Sequence, residues 1–167
     1  MLMVLSFSIL LLSSCISMSP DGTYTDREHG FQVQSPDGWD HRQDYEIYQL
    51  DTIITFISPG EDAIISLSFQ SSDMDVEGAH DHIMSNTREL GDYDNIRVRD
   101  DGEDTIGGKE VFFIDYSFTE SQDIMMARDV LVESDGRVFR IRLITQQDSF
   151  EEGEDELEKV METLDFS

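Results

Sequence analysis

The chain has 167 residues, of which 37 are Asp or Glu and 11 are Lys or Arg, for a net charge of −26. Nucleic acid is an unsuitable partner for so acidic a chain, because phosphate binding needs a basic surface. The acids are spread along the sequence, a pattern that favours solubility over a dedicated charged segment. The length predicts one folded domain after a short leader.

The leader, residues 1–14, carries no charged side chain and is apolar from Met1 to Leu12 apart from two serines. It is shorter than the roughly 20 apolar residues that cross a membrane, so it is typical of an export signal peptide. Its end, Leu12-Ser13-Ser14-Cys15, resembles the lipobox of prokaryotic lipoproteins. The resemblance implies that Cys15 is alkylated with a diacylglyceryl group and that the signal is cut just before it. The alternative is an ordinary signal peptide followed by a chance cysteine.

Cys15 is the only cysteine in the chain. Its acylation would leave the folded domain without a thiol, which excludes disulfides, thiolate catalysis and cysteine metal sites. Two acyl chains would anchor the protein firmly to the outer face of the cell membrane or in the periplasm. Residues 15–26 are rich in Ser, Thr, Pro, Asp and Gly and predict a flexible tether, which leaves residues 27–167 as the folded domain.

The first half of the domain is predicted to contain four strands and one helix. Alternating apolar residues and turn signals place the strands at residues 30–34, 45–50, 52–58 and 63–69. The helix is predicted to begin after Asp75, which can cap its first turn, and to end at Gly91. One stripe of residues recurs at helical spacing: Val76, Ala79, Ile83, Thr87 and Leu90.

The second half is predicted to contain four more strands and a closing helix. The strands are expected at residues 95–99, 109–118, 124–133 and 137–145. The acidic segment 100–104 is predicted to be a turn, and Asp135-Gly136 is a strong hairpin signal. Ser149 and Glu152 predict a capping box at the start of the last helix. Hairpin connections without a βαβ rhythm indicate an α+β fold with a central antiparallel sheet flanked by helices.

A strand with Gly30-Phe31, followed by Pro36-x-Gly38-Trp39, resembles the opening of the PsbP/Mog1-like superfamily. Ile106-Gly107-Gly108 before a strand that contains Tyr116, and the ending Leu164-Asp165-Phe166-Ser167, extend the resemblance over about residues 24–167. The resemblance implies an α/β/α sandwich and a binding or assembly protein rather than an enzyme. Members include photosystem accessory subunits, a nuclear transport factor and many lipoproteins of unknown role.

The sequence lacks short motifs that indicate catalysis or phosphate binding, such as Gly-x-Ser-x-Gly and Gly-x-x-x-x-Gly-Lys. We therefore expect a non-catalytic, membrane-tethered domain outside the cytoplasm that binds a protein or helps to assemble a complex. One alternative is a lipoprotein that binds a small ligand or a cation such as Ca²⁺. A less favoured alternative is a hydrolase with a diffuse acidic site.

Two groups of charged residues are candidates for binding. The acids Asp100, Asp101, Glu103 and Asp104 could surround Ca²⁺, although they lack EF-hand spacing and a solvated turn explains them more simply. The second group is a cationic patch for an acidic partner or an anion, formed by Arg97, Arg99, Arg128, Arg140 and Arg142. Its alternative is internal pairing of these arginines with Asp115, Asp129 or an acidic helix. No other cofactor is expected.

Overall fold

The computed structural model describes residues 17–43, 52–91 and 93–166. Within these residues the chain forms eleven strands, two α-helices and two short 3₁₀ helices. The strands are β1 Ser17–Met18, β2 Thr23–Asp26, β3 Phe31–Gln34, β4 Asp40–Gln43, β5 Thr52–Ile57, β6 Ala63–Ser71, β7 Asp94–Ile106, β8 Lys109–Glu120, β9 Asp123–Ser134, β10 Arg137–Gln146 and β11 Asp165–Phe166. The helices are α1 Val76–Ser85 and α2 Phe150–Thr163, with 3₁₀ helices at Thr87–Leu90 and Gln147–Ser149.

The strands form two antiparallel sheets. The large sheet has the order β4-β5-β6-β10-β9-β8-β7, and the small sheet has the order β1-β2-β3-β11. This α+β arrangement confirms the predicted fold class. None of the helices in the described residues is long and apolar enough to cross a membrane.

The large sheet is covered on both faces. Successive side chains of a strand point to opposite faces, and the central strands carry apolar side chains on each face. In β10, Ile141 and Leu143 pack with α2 and the small sheet, whereas Val138 and Ile144 pack with α1. The two faces are called the α2 face and the α1 face below. Strand β8 carries buried side chains on both faces, and it lies next to the edge strand β7.

Helix α1 begins as predicted and ends sooner. The Asp75 carboxylate accepts a hydrogen bond from the Gly78 backbone N–H at 2.8 Å, which caps the first turn. The α-helix ends at Ser85 with Asn86 as its C-cap, and Thr87–Leu90 follows as a 3₁₀ helix. The predicted single helix is therefore two consecutive elements. Helix α2 begins at Phe150, and the Ser149 side chain makes no capping hydrogen bond because Ser149 belongs to the preceding 3₁₀ helix.

The prediction of an acidic turn at residues 100–104 is wrong. Strand β7 runs unbroken through these residues and pairs with β8, with two irregularities in register. An edge strand leaves its side chains in water, so it tolerates charges that a buried strand excludes. The turn that closes this hairpin is Gly107-Gly108, where both glycines have positive φ.

The predicted tether is also partly wrong. Strands β1 and β2 pair with each other, and β2 pairs with β3 of the small sheet. Tyr24 is fully buried in the core. The folded structure therefore includes residues 17–26. The signal peptide, Cys15 and the predicted strand at 45–50 lie outside the described residues.

Gly107 is a point of close contact between the β7–β8 turn and α2. An added Cβ would lie 2.5 Å from the Glu162 backbone nitrogen, and the φ of Gly107 is +57°. We expect Gly107→Ala to lower the free energy of unfolding by about 3 kcal/mol, because it adds a backbone clash to the cost of left-handed φ. Urea unfolding measures this loss.

Gly108→Ala is the matched control. Gly108 also has positive φ, but nothing lies within 4 Å of an added Cβ. This variant should lose only about 1 kcal/mol, the conformational cost alone. Equal losses in the two variants would contradict the close packing of α2 on this turn.

Candidate functional site

Arg140 and Arg142 are buried on the α1 face, where they share the carboxylate of Asp129. Arg142 donates to Asp129 Oδ1 through Nε at 2.7 Å and to Oδ2 through Nη2 at 3.1 Å. Arg140 donates to the same Oδ2 through Nη2 and to the Glu89 carbonyl through Nη1 at 2.9 Å. All three charged side chains are at most 1 % exposed. Two cations and one anion therefore form a cluster without contact with bulk water.

The two arginines control the charge of Asp129. Burial alone would raise the pKa of Asp129, but the charges and hydrogen bonds of Arg140 and Arg142 outweigh burial and hold it below its ordinary value. Burial also raises the pKa of Tyr116, whose ring lies 5.8 Å from the Arg142 guanidinium. Tyr116 is therefore neutral, and Asp129 is the ionised acid of the cluster.

Arg128 lies on the opposite, α2 face of the sheet. Its Nε and Nη2 donate to the two oxygens of Asp115 at 2.7 and 2.6 Å. Its Nη1 lies 2.5 Å from Glu154 of α2, and its guanidinium packs over the rings of Phe113 and Phe150. Arg128 therefore links the sheet to α2, and its positive charge is paired with two carboxylates of the same domain.

Arg97 and Arg99 are exposed on the edge strand β7, and Arg99 donates through Nε to Ser117 Oγ at 3.0 Å. The five predicted arginines consequently lie in three separate places: the α1 face, the α2 face and the sheet edge. They do not form one cationic surface, because alternation along the strands sends Arg128 and the pair Arg140 and Arg142 to opposite faces.

The four acids proposed for Ca²⁺ do not converge. Asp101 and Glu103 lie opposite Ile114 and Phe112 and share the α1 face. Asp100 and Asp104 lie opposite residues of the α2 face. The alternation of β7 thus separates the acids into two pairs. Across residues 17–43, 52–91 and 93–166, no group of three or more His, Cys, Asp or Glu residues is placed to hold a metal ion.

A groove of about 1000 Å³ opens where β7, β8 and β9 meet the start of α1 and the last strand, β11. Its apolar lining comes from Val76, Val111, Phe112, Val132 and Phe166. Six exposed carboxylates also line it: Asp75, Glu77, Glu103, Asp104, Glu110 and Glu133. The groove therefore has a mixed lining, in which apolar side chains lie among six carboxylates.

Two contacts fix the groove's walls. Glu133 Oε2 accepts a hydrogen bond from the Val76 backbone N–H at 3.1 Å, which ties β9 to the start of α1. Lys109 donates its Nζ to the Met161 carbonyl at 2.6 Å, so the one basic side chain in the described lining points to α2. Lys109 is therefore engaged with a backbone carbonyl of α2, and the groove keeps an acidic lining.

Sequence reasoning singled out two of these acids, Glu103 and Asp104, but as part of a solvated turn or, less simply, a Ca²⁺ site. It missed Asp75 as a groove residue, and it also missed Glu77, Glu110 and Glu133. These residues come from elements that are distant in sequence, so no local spacing relates them. The sequence signal that could have indicated the groove was the presence of acidic residues at the ends of predicted elements. Many acidic proteins show this pattern, so it is not specific.

Comparison with family models finds no match, and neither does a search of curated proteins. Solved structures do match. PsbP (CyanoP) from Synechocystis sp. PCC 6803 is 15 % identical with a TM-score of 0.59, covering 93 % of this chain and 99 % of its own. LpqN of Mycobacterium tuberculosis is 16 % identical with a TM-score of 0.55, covering 89 % and 86 %. The Ran-binding protein Mog1p of Saccharomyces cerevisiae is 12 % identical with a TM-score of 0.57, covering 90 % and 96 %.

These similarities extend over nearly the whole described chain, and they confirm the predicted PsbP/Mog1-like fold. At such low identity they establish the fold and not the activity. The chain therefore has an architecture shared by proteins with different roles, and its role must be argued from its own surface.

The Asp129 cluster predicts a large effect of a small change. Asp129→Asn removes the anion between two buried guanidiniums, and we expect it to lower the free energy of unfolding by about 3 to 5 kcal/mol. Asp115→Asn is the control, because Arg128 is partly exposed and keeps Glu154 as a partner. Urea unfolding of both variants should show the larger loss for Asp129→Asn. A larger loss for Asp115→Asn would contradict the structure.

The same cluster predicts part of the acid sensitivity. Because the pKa of Asp129 is below its ordinary value of 3.8 in the folded state, its contribution is present above that pH. It is lost as the pH falls through the native pKa. The stability of Asp129→Asn should therefore fall less steeply below about pH 4 than that of the wild type. Parallel acid profiles would show that Asp129 is not ionised in the fold.

Proposed function

We propose that this protein is a membrane-tethered, non-catalytic domain outside the cytoplasm that binds a basic segment of a protein partner and assists assembly of a complex. The observation that carries the proposal is the groove, in which six exposed carboxylates lie beside partly exposed apolar side chains, among them Val76, Phe112 and Phe166. The carboxylates would pair with Lys or Arg side chains, and these apolar side chains would contact apolar residues between them.

The charge of the whole chain supports this partner chemistry. A net charge of −26 attracts a basic protein from a distance and raises the rate of encounter. Three of the arginines proposed for an acidic partner are instead buried or partly buried in ion pairs. The surface therefore favours a basic partner over the acidic partner that the sequence suggested.

Two structural neighbours support a binding role. Mog1p is a Ran-binding protein, and LpqN is involved in cell envelope biogenesis. Neither property transfers with the fold, but the Ran-binding role of Mog1p is an example of this architecture in a protein that binds another protein.

The lipid anchor is tested by Cys15→Ala. Without the thiol no diacylglyceryl group can be attached, so the variant should move from the membrane fraction to the soluble fraction. Ser13→Ala, beside the modified position, should stay in the membrane. Mass spectrometry of the mature protein's first peptide should show a lipid adduct on Cys15. An unmodified Cys15, or an uncleaved leader, would refute the anchor while leaving the groove proposal intact.

The groove is tested by cross-linking in cells. A photoreactive residue is placed at position 110 in the groove, and in a control at position 158 on the exposed side of α2. We expect position 110 to capture one dominant partner through a segment rich in Lys and Arg. Capture through an acidic segment, or equal capture from both positions, would contradict the proposal.

The charge contribution is measured with purified partner. Glu103→Gln, Asp104→Asn and Glu110→Gln together should weaken binding about tenfold, equivalent to about 1.4 kcal/mol. The matched control removes three acids from the exposed side of α2, with Glu151→Gln, Asp155→Asn and Glu158→Gln. It should bind like the wild type. Equal weakening in both would show a general effect of net charge.

A further inference from the structure

Strand β7 is the last strand of the large sheet in the part of the chain that the structure describes, so one of its backbone edges has no neighbouring strand there. The strand has 13 residues, and residues 99–105 are exposed apart from the half-buried Gly102. An exposed strand edge presents a row of backbone N–H and C=O groups that can pair with a strand of another protein.

The turn after β7 decides which of its backbone groups point outward. Gly107 and Gly108 both have positive φ, and Ile106 lies opposite Lys109, which together define a two-residue hairpin turn. The two residues that flank such a turn exchange both of their backbone hydrogen bonds, and bonded and non-bonded pairs then alternate along the ladder.

The register between β7 and β8 has no irregularity from residue 100 to residue 106. The even-numbered residues of this stretch therefore bond to β8. The odd-numbered residues, Asp101, Glu103 and Thr105, direct their N–H and C=O groups away from the sheet. These three residues are called the outward residues below.

Two hydrogen bonds agree with this assignment. The Asp101 N–H donates to Asp100 Oδ1 at 3.0 Å, and the Thr105 N–H donates to Asp104 Oδ1 at 2.7 Å. Each carboxylate thus occupies the place that a carbonyl of an added strand would take. Because Asp100 and Asp104 are exposed, these local contacts can be exchanged for the carbonyls of a partner strand.

The side chains beside this edge are acidic on both faces of the sheet. Asp101 and Glu103 lie on the α1 face, whereas Asp100 and Asp104 lie on the α2 face. The side chains of an added strand would alternate between the same two faces and meet carboxylates on each. Opposite charges across paired strands stabilise a sheet and like charges destabilise it. The edge therefore suits a strand with Lys or Arg, whereas a second copy of β7 paired along this stretch would place acids against acids.

The outward edge is continuous with the groove. Glu103, Asp104 and Thr105 line the groove and also belong to the free edge of β7. A segment that pairs with this edge would therefore lie along one wall of the groove.

We propose that the basic segment of the partner binds as an added β-strand along residues 101–105 of β7. Its carbonyls accept hydrogen bonds from the outward N–H groups, its own N–H groups donate to the outward carbonyls, and its Lys or Arg side chains pair with the neighbouring acids. This inference rests on the function proposed above and adds the conformation of the bound segment, which is extended and not helical.

The test uses the full chain in detergent and a blocked peptide of about nine residues that alternates Lys with Thr, a good strand former. Amide hydrogen exchange measured by NMR reports on each backbone N–H. The peptide should slow exchange about tenfold or more at the outward residues Asp101, Glu103 and Thr105. Gly102 and Asp104, which already bond to β8, should change little.

A second peptide separates backbone pairing from charge. It has the same sequence with a methyl group on every backbone nitrogen, so it keeps every side chain and every charge but cannot donate backbone hydrogen bonds. Calorimetric titration should show that it binds at least about tenfold more weakly. Equal binding of the two peptides would show that charge alone holds them, and the proposal would be wrong.

A variant of the protein makes the same comparison from the other side. Thr105→Pro removes an outward N–H without removing a charge or a hydrogen bond to β8, and it should weaken binding of the Lys-Thr peptide about tenfold. Thr105→Val keeps the N–H and should bind like the wild type. The methylated peptide keeps the proposal testable if the proline variant does not fold.

The remaining outcomes separate this inference from the function on which it rests. Binding of the Lys-Thr peptide without slower exchange at the outward residues would overturn the added strand and leave the basic partner in place. Absence of binding would also overturn the added strand, and capture at position 110 would still test the groove. Slower exchange that depends on protein concentration alone would assign the edge to a second copy of the chain. Capture of an acidic segment at position 110 would contradict the proposed function itself.

Discussion

The buried carboxylate of Asp129 is the interaction on which the α1 face of the sheet depends. It holds Arg140 and Arg142 of the neighbouring strand, and Arg140 in turn binds the Glu89 carbonyl of the 3₁₀ helix after α1. One side chain thereby connects β9, β10 and the segment that follows α1. Charged groups replace part of the apolar core here. The hydrogen bonds between Asp129 and the two guanidiniums must therefore be maintained, because without them two buried cations would lack a counter-charge.

Arginine side chains form ion pairs inside the domain on the other face of the sheet as well. Arg128 joins β9 to α2 through Asp115 and Glu154, so cations on both faces of the sheet are consumed internally. The acids, in contrast, remain largely on the surface, and six of them line the groove at one end of the sheet. The molecule therefore carries most of its acids outside and places Arg128, Arg140 and Arg142 in ion pairs within the domain.

Local chemistry explains which elements were predictable. The hairpin at Asp135-Gly136 and the cap at Asp75 depend on neighbours in sequence, and both were predicted correctly. The predicted strand at 95–99 is shorter than β7, because the acids that follow it indicated a turn. An edge strand can carry such acids, since their side chains lie in water. The short strands β1, β2 and β11 were missed because the small sheet in which they pair forms only in the tertiary fold.

The sequence by itself determined the antiparallel α+β architecture, the acidic surface and the presence of arginines on the polar side of a strand, because periodicity and turn chemistry are local. Only the tertiary structure decided that this polar side of β10 is buried, that Asp129 lies against it, and that Glu110 and Glu133 border one groove. Alternation tells which residues of a strand share a face, but which face is covered depends on how distant elements pack.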